Sequence, residues 1–197
     1  MLLDKLKEYN IILASASPRR QQLLKEVGIS YQLETGYPVD ESYPDHLQGE
    51  EIPVFLAEKK SLHFPHQLKK EDILITADTI VYQDGEVLQK PGNYEEARES
   101  LRKISGNSHF VYTGICLRSP EKKHSCCTAT EVLFDALSDL EIDYYIRTYK
   151  PFDKAGAYGI QEWIGYVGVK EIKGSYFNVM GLPIHKLYKE LENFIHL

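Results

Sequence analysis

The sequence predicts an α/β protein, on three observations. Short apolar runs of strand composition alternate along the chain with segments that carry helix start and stop signals. The run Ile73-Leu74-Ile75-Thr76-Ala77-Asp78-Thr79-Ile80-Val81-Tyr82 is strand-like on both sides of its aspartate and leads into the two-residue hairpin signal Asp84-Gly85. At 197 residues, with 43% hydrophobic and 26% charged side chains, the chain has an ordinary globular composition and can bury a good core. That size suits one domain or two closely packed lobes. The expectation is a single domain over 1–197 with two lobes and no separable linker.

Residues 1–10 read as a short amphipathic lead-in. Ile11-Ile12-Leu13-Ala14 is a buried strand, and it stops at Ser15 and Ser17. A helix follows from Pro18 and ends at Gly28, with Ser17 at the N-cap and Pro18 where a missing N–H costs nothing. Arg19 and Arg20 oppose the helix dipole by roughly 0.3–1 kcal/mol each. An anion in front of them would make sense of that: backbone N–H groups, the hydroxyls of Ser15 and Ser17 and guanidinium forks together form a phosphate site. The alternative is a solvated helix start whose arginines point away. Residues 31–34 are a strand, and Val39-Asp40-Glu41 opens a polar loop in which paired acids are ordinarily solvated. A helix over 53–64 has an apolar face at 53, 56, 57, 60 and 64, broken only by Lys60, which either serves a site or snorkels to water. Ile52, Phe55 and Leu62 lie off that face. His63 and His66 lack the spacing of a helical metal pair and read as surface.

In the central strand, burying Asp78 is expensive unless a cation or metal pairs with it; the alternative is a strand that reaches a cleft edge there. If Asp84-Gly85 is the turn, Thr79 lies opposite Lys90. Strict alternation sends Lys90 to the other face from Asp78, although Pro91 can redirect it. Asn93 and Glu96 begin a helix as a capping box, Ala97, Leu101 and Ile104 mark its buried face, and Ser105-Gly106 ends it. Residues 109–117 and 125–134 alternate as paired strands, with His109 in a structural role. Ser138 and Glu141 open another helix, which ends before Pro151. The stretch from Phe152 to Gln161 is small and glycine-rich and carries Asp, Lys and Gln, as a tight loop beside a ligand does. Residues 163–172 read as a strand, Gly174-Ser175-Tyr176 as a turn, and a last helix begins near Pro183, with its buried stripe at Ile184, Leu187, Tyr188, Leu191 and Ile195.

The whole-chain numbers narrow the function. A net charge of −6 argues against non-specific nucleic-acid binding, so a polyanionic ligand must meet a local cluster of Lys and Arg. Three cysteines, two of them adjacent and therefore on opposite faces of a strand, make no disulfide framework and point to a reducing cytoplasm. Nothing in the sequence suggests a membrane span or a signal peptide. A dinucleotide fingerprint and a P-loop are both missing.

Taken together, the motifs resemble the Maf family of nucleoside triphosphate pyrophosphatases. Ser15-Ala16-Ser17-Pro18-Arg19-Arg20 looks like the family's signature loop, Asp40-Glu41 like its acidic pair and Leu56-Ala57-Glu58-Lys59-Lys60 like its lysine helix. Ala77-Asp78-Thr79-Ile80-Val81 with Lys90-Pro91 looks like its central hairpin. Ser105-Gly106, His109 and Thr113-Gly114 continue the pattern, and the run from Asp153 to Gln161, Gly174-Ser175-Tyr176 and Gly181-Leu182-Pro183 complete it. The match runs in order from about Ile11 to the last helix. It implies a Maf/ITPase-like fold, in which a long bent mixed sheet with flanking helices forms two lobes around a cleft. It also implies hydrolysis of a nucleotide between its α- and β-phosphates, removal of unwanted or non-canonical nucleotides, and dimerisation. Gln161 and Thr79 resemble the branch acting on dTTP and UTP. Glu162-Trp163 departs from that branch, which more often has glycine after the glutamine, and Glu162 would add negative charge beside the base pocket.

The chemistry of the residues fits that reading. Arg19, Arg20, Lys60 and Lys90 are cations able to hold a triphosphate. Mg²⁺ or Mn²⁺ prefers oxygen ligands, and Glu41 and Asp78 offer carboxylates. Asp78, fixed on a strand, is the better candidate for the base that deprotonates the attacking water, with a role mainly as metal ligand the alternative. Two other classes remain. One is a nucleotide-binding regulator of cell division (septum formation) without turnover, against which the strand-borne Asp78 counts. The other is a phosphatase or kinase-like phosphoryl transferase, disfavoured by the missing P-loop.

Overall fold

The computed structural model describes residues 1–196. The lead-in is a one-turn helix, Leu2–Lys5 (α1), with a 3₁₀ turn after it, and it buries Leu2 and Leu6. Asn10–Ala14 (β1) buries four successive residues, as a strand covered on both faces must. Pro18–Glu26 (α2) follows, and then Gln32–Glu34 (β2) pairs parallel with β1. Glu51–Leu62 (α3) precedes Asp72–Gln83 (β3), a twelve-residue strand that pairs parallel with β1 through Asn10–Asp72 to Leu13–Ile75. Glu86–Leu88 (β4) returns antiparallel on β3 through a turn in which Asp84 and Gly85 both have positive φ, as a type I′ hairpin requires. Tyr94–Ile104 (α4) leads to Ser108–Arg118 (β5) and Lys123–Phe134 (β6). Asp139–Tyr149 (α5), Trp163–Gly168 (α6), Val169–Lys173 (β7), Tyr176–Val179 (α7) and Ile184–His196 (α8) complete the chain. Among the described residues there is one mixed sheet of seven strands, ordered β2-β1-β3-β5-β6-β7, with β4 paired to β3.

The chain divides into two compact units, and three strands run from one to the other. The first comprises Met1–Asp78, Thr113–Thr128 and the described chain from Gly181 onward. Its core holds Leu13, Leu24, Ile73, Leu74 and Ile75 with Leu56 and Ala57 of α3 and Leu187 and Leu191 of α8. The second comprises Thr79–Tyr112 and Ala129–Met180. It buries Leu101 and Ile104 of α4, Val132 and Phe134 of β6, and Ile142, Tyr145 and Ile146 of α5.

Local expectation and structure part in five places, one of them the stripe of the last helix, where Tyr188 and Ile195 are only partly buried and Phe194 is buried instead. Residues 163–172 do not form one strand: Trp163–Gly168 is helical, and β7 begins only at Val169. The β-prone composition of Trp163, Ile164, Tyr166 and Val167 misleads, because burial there follows a helix. Ile164 and Gly168, four apart, are buried, while Tyr166 and Val167 are exposed. A Cβ on Gly165 would lie 1.8 Å from the Ile160 carbonyl oxygen, so this turn fits only against glycine. The turn expected at 174–176 is instead the start of α7, with Ser175 capping it by accepting from the Asn178 amide. The helix expected over 53–64 runs Glu51–Leu62, which buries Ile52 and leaves Leu62 exposed. Ser17 occupies the N-cap position of α2 but makes no side-chain capping bond.

Candidate functional site

The opening of α2 is arranged by Ser15 and Arg20. The Ser15 hydroxyl accepts from the Ser17 amide at 3.3 Å. Arg20 turns inward: its Nε donates to the Gly181 carbonyl at 2.7 Å and its Nη1 to the Ala77 carbonyl at 2.8 Å, with the Ser15 hydroxyl 3.4 Å away. The expected phosphate-facing arginine is thus also a brace between β1, β3 and the segment before α8. Burial lowers its pKa from the ordinary arginine value, and the charge of Asp78 acts in the opposite direction, so the guanidinium remains charged. Arg19, partly buried beside it, bears on the same field.

Around Lys60 the first unit gathers opposite charges. The Lys60 ammonium donates to Asp78 Oδ1 at 2.5 Å and to Glu41 Oε1 at 2.8 Å. Lys60 therefore does not snorkel away, and Asp78, with only a tenth of its side chain exposed, does not stand in open water. Glu41 is half-exposed and lies in the loop after β2. Its neighbour Asp40 turns elsewhere: hydrogen bonds from Ser42 and Lys59 hold its carboxyl down at about 2.

The placement of Lys60 follows from strand and helix periods. Asp78 and Thr76 share one face of β3, and Lys60 and Ala57 share one face of α3. The buried Thr76 hydroxyl donates to the Ala57 carbonyl at 2.7 Å, which sets helix against strand so that Lys60 meets Asp78. A Cβ on Gly114 would fall 2.2 Å from the Pro53 carbonyl oxygen, so β5 admits the first turn of α3 only at glycine. Sequence reading missed Thr76, because its partner lies on another element, α3.

Thr79, Lys90 and Gln161 belong to the second unit. The hairpin register pairs Val81 with Leu88, so the count does bring Thr79 opposite Lys90, but β4 ends at Leu88 and Lys90 is exposed. The loop before Gln161 is pinned from beneath. Lys154 is buried against Asp153 at 2.7 Å and Glu162 at 3.2 Å. The Tyr145 hydroxyl donates to the Glu162 carboxylate and accepts from the Gly159 amide at 3.0 Å. Burial and the Glu162 charge push the Tyr145 pKa well up. The negative charge expected of Glu162 is therefore matched by Lys154, and neither Lys154 nor Tyr145 was singled out from sequence as its partner. Gln161 Oε1 is buried without a hydrogen-bond partner among the described residues. His109, held neutral by burial that lowers its pKa to about 4, shares a 2.7 Å hydrogen bond with the Tyr158 hydroxyl.

The chain is 53% identical over 191 residues to a dTTP/UTP pyrophosphatase of Phocaeicola vulgatus, covering 97% of this chain and 99% of the relative. It is 49% identical to a protein of that name from Cytophaga hutchinsonii, covering 100% of this chain and 89% of the relative. In fold it is similar to the Ham1 protein of Staphylococcus aureus, with a TM-score of 0.52 at 15% identity over 94% of this chain and 99% of that one. The family model described as Maf-like protein matches residues 10–194, and with relatives about half identical along nearly their whole length, the chain belongs to the Maf family.

Proposed function

We propose that the chain hydrolyses dTTP and UTP between the α- and β-phosphates, releasing the nucleoside monophosphate and pyrophosphate. The observation that carries this reading is the Lys60 ammonium held between Asp78 and Glu41, a cation and two carboxylates gathered at the end of a buried strand run. Relatives named dTTP/UTP pyrophosphatase support the substrate. Arg19, Arg20 and Lys60, with Ser15 and Ser17, hold phosphate oxygens. Asp78 orients the attacking water and takes its proton, a role its fixed position on β3 suits.

The donor chemistry fits Mg²⁺ or Mn²⁺: Glu41 and Asp78 are oxygen ligands whose combined charge already draws one cation between them. When bound, such an ion polarises phosphoryl oxygens and neutralises developing charge. Glu41 and Asp78 would hold it, with Lys60 left to the phosphates. From the second unit we assign Thr79 and Lys90 to the substrate and Gln161 to the base. The same reading makes the chain a cytoplasmic homodimer acting on free nucleotides; its net charge of −6 is in keeping with the absence of a nucleic-acid partner.

Product analysis on UTP, dTTP, GTP and ATP with Mg²⁺ or Mn²⁺ tests the reaction. Pyrophosphate and monophosphate are expected, and Asp78→Asn should lower turnover on the order of 10²-fold or more while keeping the fold. Orthophosphate as the sole phosphate product would make the chain a phosphatase. No product at all would leave a nucleotide-binding regulator.

A further inference from the structure

On the side of the first unit formed by β6 and α8, three potential metal ligands converge that the nucleotide chemistry does not use. His124 and Cys126 at the start of β6 share one face, and Lys122, just before the strand, continues the alternation. That face meets the i, i+4 ladder Lys186, Glu190, Phe194 of α8. Lys122 donates to the Phe194 carbonyl, and its ammonium lies 4.7 Å from the Phe194 ring centre. His124 Nε2 is 2.8 Å from Glu190 Oε2, and Cys126 lies in the field of both Glu190 and Lys186. The adjacent Cys127 points to the opposite face, into the field of Glu50.

We propose that His124, Cys126 and Glu190 bind one zinc-class divalent transition-metal ion. Their imidazole nitrogen, sulfur and carboxylate oxygen all lie within 4.8 Å of one another, and among the described residues no other three His, Cys, Asp or Glu side chains are grouped this way. Donor atoms around four-coordinate zinc stand ~3–4 Å apart, given bonds of about 2.0 Å to nitrogen and 2.3 Å to sulfur, so small side-chain rotations close the set. One nitrogen, one sulfur and one oxygen suit zinc and exclude Mg²⁺ and Ca²⁺, which take oxygen ligands. A fourth position is left for water. The Lys186 ammonium, 2.8 Å from Glu190 Oε1, engages the outer oxygen and leaves Oε2 turned toward His124, an orienting contact of the kind that outer partners supply. Without metal the thiol carries its proton, as a cysteine ordinarily does near neutral pH. The ion displaces that proton to solvent as the metal–sulfur bond forms, with no change of oxidation state. The bound ion would cross-link β6 to α8 inside one unit.

Cobalt titration of the full-length, metal-stripped protein tests the site, since only a thiolate ligand gives a near-ultraviolet sulfur-to-cobalt charge-transfer band. One equivalent of Co²⁺ should produce the band, Zn²⁺ should remove it and excess Mg²⁺ should not. Cys126→Ser and His124→Ala should each abolish or strongly weaken it, and Cys127→Ser should leave it intact. Zinc should also raise the melting temperature of the wild type but not of His124→Ala. His124 is 43% exposed at its side chain, so its truncation should leave a folded chain even if Cys126→Ser does not. No band in the wild type, a band that survives His124→Ala, or a band lost in Cys127→Ser would each overturn the proposal.

Discussion

Of the two neighbouring arginines at the start of α2, Arg20 has a structural job beside any phosphate it holds. Arg20 donates to the Ala77 and Gly181 carbonyls. Removing it leaves those acceptors without their donor, at about 1–3 kcal/mol. Arg20→Ala should therefore lower the melting temperature of the unliganded protein by on the order of 5 °C, given about 2–4 °C per kcal/mol at this chain length. Arg19 opposes the helix dipole, so Arg19→Ala should leave the unliganded melting temperature unchanged or slightly higher while raising KM for UTP. Calorimetry of the two variants distinguishes them, and equal melting temperatures would show that the Arg20 contacts carry no stability. Gln161 is a second case at this scale. Its buried Oε1, without a partner among the described residues, needs a donor, and the imide N–H of uracil or thymine, flanked by carbonyls, matches a side-chain amide that both accepts and donates. Gln161→Glu removes the amide donor and adds a charge. It should lower kcat/KM for UTP by on the order of 10²-fold or more with the fold intact, because a mismatched polar site leaves buried groups unpaired. Wild-type protein that turns over GTP and UTP equally well would remove Gln161 from base selection.

Among the elements, α3 shows how a site residue is aimed by contacts far from the chemistry. The helix is tied at Ala57 to Thr76 and lies against β5 where Gly114 offers no side chain. Gly114→Ala would force a methyl group into the Pro53 carbonyl, which the main chain of α3 can relieve only by shifting. Overpacking of this kind costs about 1–3 kcal/mol, and the same shift moves Lys60 away from Asp78. The variant should show both a lower urea midpoint and reduced turnover; an unchanged midpoint would mean the helix yields freely. Lys60 and Asp78 were visible in sequence because charged residues in apolar patterns stand out. Thr76 and Gly114 were harder to read as supports, because nothing local says that a threonine hydroxyl or a missing Cβ faces another element. The same limit explains α6: its residues favour strands one by one, and the close approach of Gly165 to Ile160 that the helical turn contains is not visible locally. Caps carried by local side chains, such as Asn93 with Glu96 and Ser138 with Glu141, were legible because the whole interaction lies within four residues.

For the molecule as a whole, the division into two units follows no boundary that composition could reveal. The chain passes from one unit to the other within β3 after Asp78, within β5 after Tyr112 and within β6 after Thr128. These three crossings are peptide bonds inside strands, not linkers rich in Gly, Pro or Ser, so the sequence offers no composition change to mark them; a fourth crossing, Met180–Gly181, falls in the turn between α7 and α8. The energetic consequence concerns cooperativity. A unit that opened alone would have to end three strands at their crossings, leaving ladder groups without partners and apolar side chains in water. Unfolding should therefore be a single transition, as for small domains that unfold all-or-none. Trp163, the chain's one tryptophan, lies in α6 and reports on the second unit, whereas far-ultraviolet circular dichroism averages over the helices and strands of both. The midpoints of tryptophan fluorescence and circular dichroism in urea should coincide, with slopes that scale to the surface of the full chain. A fluorescence transition that precedes the circular dichroism change would show the second unit opening by itself, and the shared strands would then not couple the two.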